Sequence, residues 1–145
     1  LVGVAIILGF HALAPEPLAL LQAKVSMPLT ARLLYGGITE EVLVRWGLMT
    51  LLAWAGWRLF QGGAGALADG SAWLAIGLSA VIFGAAHLPT VAAALGTVPL
   101  PIGAYVVAGN ALFGVVAGYL FWRHGLEAAI AAHVLAHLGA IAIRG

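Results

Sequence analysis

The sequence of 145 residues contains no cysteine, which excludes disulfide bonds and thiolate chemistry. Charged residues are scarce as well: they make up 8% of the chain, whereas a soluble domain typically has about 25%. The net charge is +1 and there is no basic run, so nothing in the sequence indicates a nucleic-acid partner. Hydrophobic residues make up 63% of the chain, and a chain with so little polar surface is expected in a lipid bilayer.

Long apolar stretches define the expected fold. A membrane-spanning helix needs roughly 20 mostly apolar residues. The sequence predicts an all-α, multi-pass transmembrane helical bundle, with a short interfacial helix over 18–29 and a loop or re-entrant segment over 90–100. Four spans are predicted, with a partial N-terminal span over 1–14; the four cover 31–60, 72–88, 102–122 and 126–143.

Residues 1–145 are expected to form a single membrane-embedded domain of an integral protein of a prokaryotic cell membrane. Because the chain begins with Leu1 and is apolar from the start, we expect it to be a trimmed piece that lacks upstream spans. Small residues occur four apart at Gly114 and Gly118, and again at Ala80 and Gly84. Such spacing lets helices approach closely in lipid.

The stretch GITEEVLVRWGLM, residues 37–49, places three charges in apolar surroundings. Intramembrane ionisable residues usually face a protein interior or a cavity and have a function. Glu41 and Arg45 are one helical turn apart in the order that favours an ion pair, which leaves Glu40 to face elsewhere. Alternatively, Thr39 caps a helix whose first turn contains both glutamates.

Three histidines on two predicted spans add to this group. His87 follows Phe83 by one turn at the end of a span, and His133 and His137 are four residues apart, on one face of the last span. A lone histidine on an apolar helix is more often a hydrogen-bonded core residue than a catalyst. Together with the glutamates, however, these three histidines form a candidate catalytic cluster.

Two chemistries fit the cluster. In the first, Glu40 is the general base for a water, His87 holds or shares its proton, and His133 and His137 donate hydrogen bonds to the oxyanion. This mechanism needs no metal or other cofactor. In the second, the same four side chains bind a zinc ion that activates the water. The zinc-protease signature H-E-x-x-H is absent, because Val134 stands where its glutamate would be.

The motifs Glu40-Glu41-x-x-x-Arg45, Phe83-x-x-x-His87 and His133 followed by a polar residue resemble those of the CPBP family. This family, also called ABI, comprises CAAX proteases and bacteriocin-processing proteins and includes the Ras-converting CAAX endopeptidases. The resemblance covers about residues 30–140. It implies a multi-pass intramembrane glutamic protease that cleaves a membrane-anchored or membrane-presented protein.

The resemblance to this family implies that Glu40 and His87 activate the water and that His133 lies in the oxyanion site. It also implies that the helix continues upstream of Thr39. The chain departs from the family at His137, where asparagine is common. A neutral imidazole can donate one N–H in place of the amide, although it also adds a possible metal ligand.

Asn110 is expected either to supply an extra amide to the site or, in preference, to make an interhelical hydrogen bond near Gly114. A third hypothesis needs no catalysis. In it, the chain is a membrane scaffold or immunity-type protein, and the polar cluster fixes the packing of the helices.

Overall fold

The computed structural model describes residues 1–24 and 28–144, which are helical apart from short connections. The α-helices are α1 (Val2–Ala12), α2 (Glu16–Lys24), α3 (Leu29–Ala31), α4 (Thr50–Phe60), α5 (Asp69–Ala85), α6 (Leu88–Leu95), α7 (Leu100–His124) and α8 (Leu126–Arg144). Two π-helical segments separate α3 from α4: π1 (Arg32–Thr39) and π2 (Val42–Met49). The all-α prediction therefore holds throughout the described residues.

In the described part of the chain, three helical stretches are long and apolar enough to cross a membrane, namely Asp69–Leu95, Leu100–His124 and Leu126–Ile143. They correspond to three of the four predicted spans. The predicted partial span is the shorter apolar helix α1. The predicted fourth span, 31–60, is helical but contains the two π segments, so the structure supports three spans and not the full predicted count.

The helical run over 29–60 is unbroken, with Glu40 and Glu41 in α-helical conformation between π1 and π2. Thr39 and Thr50 each donate a hydroxyl hydrogen bond to a carbonyl five residues back, the spacing of a π-helix. Because the helix extends upstream of Thr39, Thr39 does not cap a helix start. π-Helical turns inside α-helices are frequently found at functional sites.

Helices α5 and α7 pack through the small residues that the sequence singled out. A Cβ atom on Gly84 would lie 2.5 Å from the carbonyl oxygen of Val107, so only glycine allows this approach. The two helices also meet at Gly114, which lies against Ala80, and at Gly118, which packs against Ile76 one turn further along. The backbones of the two helices can approach closely because no side chain separates them.

Helix α8 approaches π1 in a similar way. A Cβ on Gly37 would lie 2.6 Å from Cγ2 of Val134, and one on Gly36 would lie 3.0 Å from Nε2 of His137. Helix α1 covers the other side of α7 and α8, and the hydroxyl of Tyr105 donates a hydrogen bond to the carbonyl of Phe10. These contacts hold α8 between α1 and the glutamate-bearing segment.

The segment after α5 differs from the prediction. Residues 90–100 were expected to form a loop or re-entrant stretch, but α6 extends to Leu95. Pro89 lies in the first turn of α6, where proline is tolerated because its missing N–H has no helical partner. Near the N-terminus, the predicted interfacial helix over 18–29 overlaps α2, and its residues 25–27 lie outside the described part of the chain.

Candidate active site

Glu41 lies at the centre of the polar cluster. Its side chain is fully buried, and its two oxygens have different partners. The Nε of Arg45 donates to Oε2 at 3.0 Å, as the four-residue spacing predicted. Nδ1 of His133 lies 2.8 Å from Oε1. Glu41 therefore links π2 to α8 through its two oxygens.

Arg45 is fully buried and binds the carboxylate through Nε alone. Its Nη1 and Nη2 have no hydrogen-bond partner within residues 1–24 and 28–144. The guanidinium carbon instead lies over the ring of Phe83, 5.1 Å from its centroid. A cation above an aromatic face is attracted by the ring quadrupole, and this contact places Phe83 against the ion pair.

His133 is 5% exposed and is enclosed by aromatic rings. The Phe113 ring centroid is 4.5 Å from that of His133, and the Phe83 ring meets it edge-on at 6.4 Å. His137 stacks on it at 5.0 Å with an angle of 21° between the planes. Because a carboxylate can only accept, the Glu41 contact places a hydrogen on Nδ1 of His133. Only Nε2 is left for a reacting group.

His87 lies in the short break between α5 and α6, half-buried. Its Nδ1 is 2.8 Å from the carbonyl oxygen of Phe83, and its ring meets the Phe83 ring edge-on at 4.9 Å. A carbonyl oxygen accepts only, so Nδ1 carries the hydrogen, and Nε2 of the neutral ring has a free lone pair. The break in the helix thus presents a basic nitrogen to the cluster.

Glu40 is half-buried, next to Glu41 in the α-helical turn between the π segments. It lies close enough to His87 and His133 for electrostatic attraction to both rings in their protonated forms. Within the described ranges its carboxylate accepts no hydrogen bond, in contrast to that of Glu41. Both of its oxygens are therefore free to bind a water.

Seven of the eight predicted site residues meet in this cluster. His137 belongs to it through the stacking of its ring on that of His133. Asn110 does not. Its Nδ2 donates to the carbonyl of Val106 at 2.9 Å, which is a bond within α7. Among the described residues Asn110 makes no interhelical hydrogen bond, so the expected one is not found there.

A metal centre was the second possibility for these residues. In the part of the chain that the structure describes, no group of three histidine, cysteine, aspartate or glutamate side chains is placed to hold a metal ion. The zinc ligand set of Glu40, His87, His133 and His137 is therefore not assembled in this geometry. The ring nitrogen of His133 that faces Glu41 is already occupied by a hydrogen bond.

Comparison with known families agrees with the motifs. Residues 22–139 match the family model described as type II CAAX prenyl endopeptidase Rce1-like. The chain belongs to this Rce1-like family. It is accordingly an integral membrane protein of a protease family, and the predicted resemblance to the CAAX proteases is confirmed. No curated protein and no solved structure matched the chain.

The sequence did not reveal every contact of this Rce1-like site. Glu41 and His133 are 92 positions apart and share no motif spacing, so their hydrogen bond could not be anticipated. Phe113 was also missed as a neighbour of His133. The only feature of the sequence that could have indicated this contact is the position of Phe113 beside Gly114, where α5 and α7 come close.

Proposed function

We propose that this Rce1-like protein is an intramembrane endopeptidase that uses a water activated by Glu40 and His87. Its substrate would be a membrane-anchored or membrane-presented protein, as the family description suggests. One observation carries the proposal. Glu40 has no hydrogen-bond partner in the described ranges and lies within electrostatic reach of His87 and His133, whereas its neighbour Glu41 is fully engaged.

In the proposed reaction, the Glu40 carboxylate takes a proton from the water while the water oxygen attacks the carbonyl carbon of the peptide bond. Nε2 of His87, with its lone pair free, accepts a hydrogen bond from the same water and orients it. The C–N bond then breaks, and the proton held by Glu40 passes to the leaving nitrogen. Glu40 is thus the base in the first step and the acid in the second.

The developing oxyanion needs hydrogen-bond donors that are already in place. Nε2 of His133 is the nitrogen that its contact with Glu41 leaves free, and it donates when both ring nitrogens carry hydrogen. The ring of His137 stacks on that of His133 and offers a second N–H beside it. We therefore assign the oxyanion site to this histidine pair. Arg45, Glu41 and Phe83 support the site and do not touch the substrate.

We also propose that residues 29–60 form a fourth membrane span. The helical run is unbroken and longer than the roughly 20 residues that a span needs. Its buried charges, Glu41 and Arg45, contact His133 of α8 and Phe83 of α5. This arrangement keeps the ion pair out of lipid.

The competing hypothesis is a non-catalytic role. The buried network of Glu41, Arg45 and His133 would suit a membrane scaffold, since such networks fix the packing of helices. That hypothesis predicts that substitutions at Glu40 and His87 change stability and no chemistry. Activity and stability must therefore be measured on the same variants.

The test uses purified protein reconstituted in liposomes, with quenched fluorescent peptides that are either farnesylated at a CAAX-type terminus or anchored by an apolar helix. We expect Glu40→Gln and His87→Ala each to lower kcat about 10²-fold or more, the usual range for loss of a general acid or base. Glu127→Gln and His124→Ala are the matched controls, because both residues are exposed. Full cleavage by Glu40→Gln would overturn the mechanism.

A further inference from the structure

The carboxylate of Glu41 is divided between two partners in an unusual way. Arginine commonly binds a carboxylate through two parallel N–H groups, which uses both oxygens. Here Arg45 makes one contact to the carboxylate, from Nε to Oε2, and its guanidinium carbon lies over the Phe83 ring. Oε1 is consequently left for Nδ1 of His133.

The packing of the helices enforces this division. Gly37 lets Val134 of α8 come against π1, at a distance where a Cβ would lie 2.6 Å from the Val134 side chain. Val134 directly follows His133, so the close approach sets the position of the imidazole. The rings of Phe113 and His137 both pack against the imidazole.

The hydrogen bond has a consequence for the proton on His133. Since Oε1 can only accept, the hydrogen must be on Nδ1. A neutral His133 then has a lone pair at Nε2 and cannot donate there. Nε2 becomes a donor only when both nitrogens carry hydrogen.

We propose that Glu41 is a positioning residue that holds His133 in its Nδ1–H form, so that Nε2 donates to an oxyanion only from the imidazolium state. The assignment of the His133 tautomer does not depend on the proposed function. The consequence for catalysis rests on that function. Glu41 thus acts on the reaction through His133 and does not touch the substrate.

The primary test is the tautomer of His133 by ¹⁵N NMR of the full chain with labelled histidine, with the signal assigned by its loss in His133→Gln. We expect Nδ1 to be protonated in the wild type. In Glu41→Gln, the amide oxygen can pair with Arg45 while the amide N–H₂ faces His133. The hydrogen should therefore move to Nε2.

Glu40→Gln is the matched control, because Glu40 neighbours Glu41 but makes no hydrogen bond to His133. It should leave the tautomer unchanged. A wild-type His133 with its hydrogen on Nε2, or an unchanged tautomer in Glu41→Gln, would overturn the proposal.

The second measurement is kinetic. Glu41→Gln should lower kcat at least about tenfold with KM changed by less than about twofold, because the change affects the transition state alone. Glu41→Asp, which keeps the carboxylate, should recover part of the loss. Unchanged kcat in a Glu41→Gln variant whose tautomer has switched would show that the tautomer does not matter to the reaction.

The two proposals fail separately. If the wild type cleaves no peptide but His133 is Nδ1–H, the proposed function fails and the assignment of the tautomer stands. If the wild type cleaves and the tautomer does not follow Glu41, only this inference fails.

Discussion

At the scale of single residues, the protein keeps the buried charges of Glu41 and Arg45 in apolar surroundings by giving each of them a defined partner. A charged side chain at the bilayer centre costs about 2.5–3.5 kcal/mol on insertion scales. Glu41 is compensated by two hydrogen bonds, from Arg45 and His133. Arg45 is compensated by Glu41 and by the face of Phe83. The Glu40 carboxylate accepts no hydrogen bond from the described residues, and the proposed role as a base requires this freedom.

This network makes Arg45 a residue on which stability depends. Arg45→Met keeps much of the side-chain volume but leaves Glu41 without its cation. Removing one partner of a buried ion pair typically costs about 3–5 kcal/mol, because the remaining charge is uncompensated. We expect a clear loss of thermal stability in detergent, measured by the melting temperature. Arg58→Met is the control, because Arg58 is exposed; equal losses in the two variants would contradict the network.

The contacts of single residues also show what could be predicted from the sequence and what could not. The pair of Glu41 and Arg45 could be predicted, because a four-residue spacing within one helix is a local property. The grouping of both glutamates with His87 and His133 was also predicted. The bond between Glu41 and His133 could not be, since it depends on how α8 packs against π1.

At the scale of helices, the π segments distinguish the glutamate-bearing run from the other spans. A sequence pattern assumes about 100° per residue along an α-helix, and this angle does not apply within π1 and π2. Apolar length and composition predicted the spans over 72–88, 102–122 and 126–143. The π segments and α6 were not predicted, because neither leaves a distinct mark in composition.

The contact between α5 and α7 gives a prediction at this scale. Gly84→Ala would place a Cβ 2.5 Å from the Val107 carbonyl oxygen, so the helices must separate. Overpacking of this kind typically costs about 1–3 kcal/mol. Gly77→Ala in the same helix is the matched control, because its Cβ would meet no atom within 4 Å, and alanine favours the helix. Unfolding in detergent should show a loss for Gly84→Ala and none for Gly77→Ala.

The contact between α5 and α7 also affects the candidate active site through Phe83. Phe83, the residue before Gly84, contacts Arg45 and both His87 and His133. Gly84→Ala should therefore lower activity as well as stability. A variant that loses stability but keeps full kcat would show that the α5–α7 contact does not position Phe83.

At the scale of the whole molecule, the site is assembled from three distant parts of the chain. The turn between π1 and π2 supplies the glutamates, the end of α5 supplies His87, and α8 supplies the histidine pair. Helices α5 and α7 run in opposite directions, so Gly84 faces Val107 and Ile76 faces Gly118. His87 therefore lies towards the end of the bundle that contains the α6–α7 connection, and the loop between α4 and α5 lies at the opposite end.

This arrangement predicts which connections share a side of the membrane, and the absence of native cysteine makes single-cysteine labelling direct. Ala64, Thr97 and His124 are exposed in the connections or at a helix end. In sealed vesicles, an impermeant maleimide should label Ala64→Cys and His124→Cys from one side and Thr97→Cys from the other. If residues 29–60 also span, Thr30→Cys should label with Thr97→Cys. Labelling of Ala64→Cys and Thr97→Cys from the same side would contradict a span over 69–95, and labelling of Thr30→Cys with Ala64→Cys would contradict only the fourth span.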